Sequence, residues 1–274
     1  MIKATAAVFI LLLLSCTAQR QTSQKNNMNK NPIIAHRGAF KKNGFPENSI
    51  ASLKEAIRLG CRGSEFDVHM TADDSLIINH DPHYNKLEIE KSAYSQLTAF
   101  PLKNGEQLPT LRQYLLAGKE NNNYTKLVLE IKPSGISKLR GTQVAEKCVA
   151  LVRELKVEDI VVYISFDYDI LKKIHEVSPS SQTQYLNGEI SPEKLKQDGI
   201  NGADYHFSVF RKNPDWIQSA KQNGVVLNAW TVNERADMEW LIANGFDYIT
   251  TNEPELLAGI LKETTSSNKI GNAK

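Results

Sequence analysis

Pro32-Ile33-Ile34-Ala35-His36-Arg37-Gly38 reads as a short apolar strand that stops at two charged residues and a glycine. Residues 49–59 follow with helical periodicity through Ile50, Leu53, Ala56 and Ile57, and end at Gly60, where a helix can close in the left-handed conformation. Gly63-Ser64-Glu65-Phe66-Asp67-Val68-His69-Met70 then returns to strand. The pattern recurs down the chain. Further strands are expected at 76–79, 126–131, 160–165, 183–186, 204–209, 225–230 and 246–250, and helices at 110–118 (capped by Thr110), 142–155, 169–177, 192–197, 214–222, 235–243 and 254–261. Repeated strand–helix units imply parallel strands joined by right-handed crossovers. About eight of them suit a closed (β/α)8 TIM barrel, which takes about 250 residues. An open doubly wound sheet is the competitor, but no glycine-rich fingerprint follows the first strand. Residues 82–108 break the alternation and read as a short excursion after the second strand, too poor in core residues to be a domain.

Composition bounds the function. Of 274 residues, 41% are hydrophobic and 23% charged, an ordinary globular mix. The formal net charge is only +2 and no basic run is interleaved with aromatics, so nucleic acid is not expected as a partner.

Residues 1–16 form a leader: Met-Ile-Lys, an apolar run over 4–14, then Ser15-Cys16. One cation, a short apolar core and small residues at its end make a secretory signal. The run is shorter than the roughly 20 residues a membrane span needs. The ending Leu13-Leu14-Ser15-Cys16 resembles a bacterial lipobox, which implies a lipidated Cys16 as mature N-terminus; an ordinary cleaved signal is the alternative. The expectation is export, with lipid anchoring in a bacterial envelope facing the periplasm. Residues 17–31 are polar and read as a flexible tether, 32–264 as the barrel, and 265–274 as a disordered tail. Cys61 and Cys148 fall in apolar helical patterns and are expected as buried free thiols.

The chemistry is concentrated early. Glu65 and Asp67 stand two apart on a strand, so both carboxylates leave one face. Buried ionised carboxylates are costly unless neutralised, and a hard divalent cation with oxygen ligands does this. Glu130 and Lys132 have the same spacing at the end of Leu127-Val128-Leu129: Glu130 to complete a three-carboxylate set, Lys132 as a cation for an anionic substrate. His36 and His80 end strands beside this cluster, and a pair of imidazoles can move protons to and from reacting oxygens. Arg37 suits a phosphate oxygen. All these residues fall at strand ends, where barrel active sites are built.

Together the motifs resemble the glycerophosphodiester phosphodiesterase family: Ala35-His36-Arg37-Gly38, Pro46-Glu47-Asn48-Ser49, Glu65-Phe66-Asp67-Val68 with Thr71 and Asp73, His80-Asp81, Leu108-Pro109-Thr110-Leu111, Leu129-Glu130-Ile131-Lys132, Ser165-Phe166-Asp167 and Trp230-Thr231-Val232-Asn233. The resemblance implies a (β/α)8 barrel that hydrolyses a small glycerophosphodiester to an alcohol and glycerol 3-phosphate with bound Mg²⁺ or Ca²⁺. By matching position, Glu65, Asp67 and Glu130 are implied metal ligands, and His36 and His80 the acid–base pair. Arg37 and Lys132 are implied to hold phosphate, and Trp230 to wall the substrate pocket. Glu47, Asn48 and Asp81 are expected to stand behind the reacting groups, with Asn48 or Ser49 capping the first helix. Two departures stand out. Pro82-His83-Tyr84-Asn85-Lys86 differs from the family's segment and leaves the alcohol open. Thr251-Asn252-Glu253-Pro254 replaces Thr-Asp-x-Pro, and Asn252 is expected to keep a structural hydrogen bond. His69 is expected as a loop residue near the rim, while His83, His175 and His206 receive no role; Tyr205-His206-Phe207 reads as a strand.

Two alternatives accompany this reading: a phospholipid head-group phosphodiesterase at the membrane, which an apolar rim beside the site would favour, and a catalytically silent lipid-anchored binding protein. Which imidazole is acid, whether water or a glycerol hydroxyl attacks, and the oligomeric state are left open.

Overall fold

The computed structural model describes residues 31–271, so Cys16, the signal and the tether through residue 30 lie outside the described residues. Residues Pro32–Ile260 make one compact unit; of the other unit, which takes in Leu261–Lys274, the described part is helix as far as Gly271.

The barrel strands are β1 (Ile33–Ala35), β2 (Gly63–Met70), β6 (Lys126–Ile131), β7 (Val161–Ser165), β8 (Gln182–Tyr185), β9 (Gly202–His206), β10 (Val226–Trp230) and β11 (Tyr248–Thr251). They pair in that order, all parallel, and β1 pairs with both β11 and β2, which closes the ring. The described chain is thus the (β/α)8 barrel the alternation implies. Every residue of β2 is buried, as expected of a parallel strand covered on both faces.

The outer helices are α1 (Ile50–Arg58), α3 (Leu111–Lys119), α4 (Lys138–Leu155), α5 (Tyr168–Val177), α6 (Pro192–Gln197), α7 (Phe207–Lys212), α8 (Asp215–Asn223), α9 (Arg235–Ala243) and α10 (Pro254–Gly271), with the single-turn α2 (Tyr94–Leu97) in the excursion. Ser49 caps α1 by accepting from Ser52 N, and Thr110 caps α3 in a capping box with Gln113, so the first orphan N–H groups of each are met locally. α4 begins four residues before the expected 142, because Ser137 caps it by accepting from Arg140 N.

Three expectations need correction. Residues 76–79 are not a barrel strand: β3 (Leu76–Ile78) runs antiparallel to the far end of β2, with Val68 opposite Ile78. The expected strand at 204–209 ends at His206, whose side chain caps α7; Phe207 and Val209 alternate like a strand, but Phe210 turns inward against Tyr205 and Phe246. The tail expected to be unstructured from 265 starts inside α10, which meets no proline and no glycine between Gly259 and Gly271.

The excursion also proves better built than its composition promised. Ile89, Leu97 and Leu108 bury with Ile77 and gather Tyr84, Leu87, Tyr94 and Leu102 around them. It carries a small hairpin, β4 (His83–Tyr84) with β5 (Leu87–Glu88). Two carboxylates fasten it to the barrel: Glu106 accepts from Ile50 N (2.9 Å) and Ala51 N (3.1 Å) at the start of α1. Glu90 accepts from Ser134 Oγ (2.7 Å), Gly135 N (2.7 Å) and Arg140 Nε (3.1 Å). Cys61 and Cys148 are free, buried thiols, as expected.

Candidate active site

The C-terminal strand ends surround a recess of about 110 Å³, bordered on its polar side by His36, Arg37, Glu65, His80, Glu130 and Lys132. Ile164, Phe166, Leu186 and Trp230 form its apolar wall. The strand register explains the polar cluster. Asp67 lies directly opposite Glu130 across the β2–β6 ladder, and Glu65 lies on the same face two residues earlier. Ligand oxygens of these three buried carboxylates lie within 4.8 Å of one another.

Such crowding has an electrostatic signature. Burial, then the charges of Asp67 and Glu130, raises the Glu65 carboxyl well above its ordinary range. Burial, then Asp67, pushes Glu130 up to about 7. Burial acts on Asp67 in the same direction, but the Lys132 ammonium and the Asn48 amide outweigh it and hold Asp67 low. Lys132 Nζ sits 2.8 Å from Asp67 Oδ1 and 2.7 Å from Glu130 Oε1, the latter contact lacking the alignment of a hydrogen bond. Glu65 Oε1 is buried with no partner at all. Three converging carboxylates, two of whose buried oxygens (Glu65 Oε1 and Glu130 Oε1) lack a hydrogen bond, with Lys132 between two of them and Arg37 Nε 3.8 Å from Asp67, fit a hard divalent cation.

The two imidazoles are held differently. His36 Nδ1 lies 2.7 Å from Asn252 Oδ1, so it donates there and Nε2 is left as the bare acceptor, 3.9 Å from Glu65 Oε2. Burial, then the Arg37 charge, pushes His36 down to about 4. His80 Nδ1 lies 2.7 Å from Asp81 Oδ1, so it donates there and the ring is held by its own neighbour in the chain. His80 follows β3; its backbone carbonyl lies 3.1 Å from His69 Nε2 and Asn79 N donates to Asp67 O at 3.1 Å. His69 is therefore a buried residue of β2 that steadies the His80 turn, not a loop residue.

Arg37 and Asn48 both take positive φ, 54° and 59°, a conformation that costs L-residues roughly 1–2 kcal/mol and collects at functional sites. The backbone there is fixed from several sides: Arg37 N donates to Glu65 Oε2 (2.8 Å) and Asn48 N to Arg37 O (3.0 Å). Asn48 does not cap α1; it donates to Asp67 Oδ2 at 2.8 Å and accepts from Asp67 N at 3.2 Å. Glu47 pairs with Arg37 Nη1 at 2.5 Å. Next in line, Gly38 has φ +78°, and a Cβ on it would lie 2.6 Å from the Ser52 carbonyl carbon, so only glycine fits.

The fold thus brings together His36, Arg37, Glu65, Asp67, His80, Glu130, Lys132 and Trp230, with Glu47, Asn48 and Asp81 around them. Trp230 lies edge-to-face on Phe166 at 5.4 Å and donates its indole N–H to Asp204 O at 2.9 Å. Asn252, expected to keep a structural hydrogen bond, makes it to His36 from the opposite end of the chain. One residue was missed. Asp204 lines the recess with Oδ1 unpartnered, and burial, then Glu130, raises it well above its usual range. A lone acid within Ala203-Asp204-Tyr205 was the available signal for it. Of the histidines without a role, His206 packs edge-to-face on Trp230 at 5.4 Å, while His83 lies exposed in the small hairpin and His175 lies half-buried in α5.

Comparison with known proteins bears on this geometry. Residues 36–256 match the model of the glycerophosphoryl diester phosphodiesterase family. The chain is 30% identical over 251 residues to the glycerophosphodiester phosphodiesterase of Caldanaerobacter subterraneus, covering 85% of this chain and 99% of that one. It superposes on the crystal structure of a glycerophosphodiester phosphodiesterase from Parabacteroides distasonis with a TM-score of 0.83, at 40% identity, covering 86% of this chain and all of that one (100%). A phosphodiesterase from Oleispira antarctica, solved in complex with the product sn-glycerol-3-phosphate, shares the fold at 22% identity and a TM-score of 0.71, over 84% of this chain and 96% of that one.

Proposed function

Because the chain belongs to the glycerophosphoryl diester phosphodiesterase family, we propose that it hydrolyses glycerophosphodiesters to an alcohol and glycerol 3-phosphate at this recess, with His36 and His80 as the proton-transfer pair. The observation that carries the site is the convergence of Glu65, Asp67 and Glu130 within 4.8 Å, buried, between the two imidazoles. Those three residues would hold a divalent cation, Mg²⁺ or Ca²⁺, whose chemistry there is to offset the charge developing on the phosphoryl oxygens.

The side chains divide the remaining work. Arg37, its backbone pinned to Glu65 and its guanidinium to Glu47, presents fixed N–H donors to the phosphate. Lys132, between Asp67 and Glu130, adds positive charge at the same point. His36, kept neutral by burial with Nε2 as acceptor, takes the proton of the attacking oxygen. His80, with Asp81 behind its Nδ1, gives its Nε2 proton to the departing alkoxide. The apolar wall of Phe166, Leu186 and Trp230 packs the glycerol carbons and excludes water from that side.

A coupled glycerol 3-phosphate assay across several head groups, with chelator and metal add-back, tests the reading. Release of glycerol 3-phosphate that chelator stops and Mg²⁺ or Ca²⁺ restores is the expected result; tight substrate binding with no product over hours would leave only a binding protein. We also propose that Cys16 is lipidated and holds the enzyme on an envelope membrane. Support comes from the Leu13-Leu14-Ser15-Cys16 motif at the end of the apolar leader. Metabolic labelling with a radioactive fatty acid, lost in Cys16→Ser, is the expected outcome.

A further inference from the structure

The recess has two sides, and the order of strands round the ring separates them. From β1 the parallel ring runs β2, β6, β7, β8, β9, β10 and β11, so β9 stands across the barrel from β2. The polar cluster comes from one side: His36 and Arg37 follow β1, Glu65 and Asp67 lie on β2, Glu130 ends β6 and Lys132 follows it. The far side is the apolar wall of Ile164, Phe166, Leu186 and Trp230. It carries one ionisable side chain, Asp204 of β9.

Nothing in the proposed turnover uses Asp204. It is 1% exposed, and its Oδ1 has no hydrogen-bond partner. A buried carboxyl in that state costs free energy until a ligand supplies the missing partner. The group is also held in place. Asn228, opposite it on the β9–β10 ladder, hydrogen-bonds the carboxyl, and Asn228 Oδ1 accepts from Thr250 Oγ1 at 3.2 Å. The Asp204 carbonyl accepts the Trp230 indole N–H at 2.9 Å, so one residue sets both the carboxyl and the aromatic wall beside it. A hydroxyl suits the open oxygen, because it donates to a carboxylate and accepts from a carboxylic acid. Phosphate does not suit it, and the cations stand on the other side.

We propose that Asp204 receives the terminal hydroxyl of the glycerol unit, the one farthest from phosphorus, and restricts the enzyme to diesters in which that hydroxyl is free; this rests on the reading of the recess given above. With phosphate held beside β1, β2 and β6, the glycerol carbons run along Trp230 towards β9. A recess of about 110 Å³ has no room for an acyl chain on their far end. An ester on the terminal oxygen, or a plain alkyl group in place of glycerol, leaves Asp204 buried and unpaired.

The test uses the full chain with its divalent ion and follows choline release from three compounds. They are glycerophosphocholine, 2-hydroxypropyl phosphocholine, which lacks the terminal hydroxyl, and 3-hydroxypropyl phosphocholine, which lacks only the inner one. For the parent, kcat/KM is expected to drop by about 10-fold to 100-fold when the terminal hydroxyl is absent. Asp204→Ala keeps the backbone carbonyl that holds Trp230. It is expected to bring glycerophosphocholine down to the level of the 2-hydroxypropyl compound, whose own rate stays within about threefold of the parent's. The penalty for losing the inner hydroxyl is expected to match the parent's. Asp204→Asn, which keeps an acceptor oxygen, is expected to show an intermediate preference. A parent indifferent to the terminal hydroxyl overturns the assignment, and so does an Asp204→Ala variant that slows both compounds alike. If that variant does not fold, an Asp204→Asn variant with the parent's full preference overturns it instead. No choline released by the parent from any of the three overturns the proposed function and the assignment with it.

Discussion

At the scale of single residues the site is a problem in charge. Glu65, Asp67 and Glu130 are buried against one another with one lysine between two of them. Replacing Glu65 by Gln removes one of the three carboxylates that would hold the ion, so divalent-ion affinity by calorimetry is expected to fall by about 10-fold or more, with activity falling alongside. His36→Ala and His80→Ala are each expected to lower kcat by about 100-fold or more while the melting curve stays close to the parent's. Asn252→Ala is expected to lower kcat by about 10-fold with little change in KM, because it frees the His36 ring without touching substrate. These positions were readable from spacing and strand ends. Asp204 was not, and of Asn252 only the structural hydrogen bond was, not its partner: His36 is 216 residues away, and no local pattern links residues so far apart.

At the scale of elements, the excursion matters most. It was legible only as an interruption, since its core of Ile89, Leu97 and Leu108 has neither helical nor strand period. What holds it is polar. Glu90 takes three donors from the loop after β6 and the start of α4, and two of those donors, Gly135 N and Ser134 Oγ, belong to the segment just beyond Lys132. Glu90→Ala leaves the Arg140 guanidinium and these donors without their acceptor. The expected loss is about 2 kcal/mol in urea unfolding, with faster proteolysis within 82–108 than elsewhere. Element types held wherever period and caps agreed, as in α1 and α3. They failed at 204–209, where alternating apolar residues look like a strand until the third dimension shows Phe210 turning inward.

For the whole molecule, the linked consequence is a dependence of stability on pH and metal. Glu65 and Glu130 carry raised carboxyl pKa values in the fold, Glu130 at about 7 against the ordinary 4.5. These two carboxyls then bind more protons in the folded metal-free protein than in the unfolded chain between about pH 4.5 and 7, so their contribution to stability falls as pH rises through that window, opposed up to about pH 6.5 by His36, which burial holds at about 4. The melting temperature of the metal-free protein is expected to be lower at pH 8 than at pH 5. Saturating Mg²⁺ or Ca²⁺ should raise it most at pH 8, and Glu130→Gln should reduce the difference. An equal metal-induced rise at both pH values would contradict the site.

The amino-acid sequence alone determined the alternation of strands and helices, and with it the barrel, because hydrophobic period and helix caps are local properties. It also placed the candidate site residues together, because a parallel barrel puts the ends of successive strands on one rim. Tertiary structure decided what distance along the chain conceals. It chose Asn48 as a brace for Asp67 rather than a helix cap, Asn252 as the partner of His36, β3 as an antiparallel flap outside the ring, and Asp204 as the one ionisable side chain on the far side of the recess. Each of these depends on which segments closure of the ring brings side by side, and that is a property of packing, not of neighbouring residues.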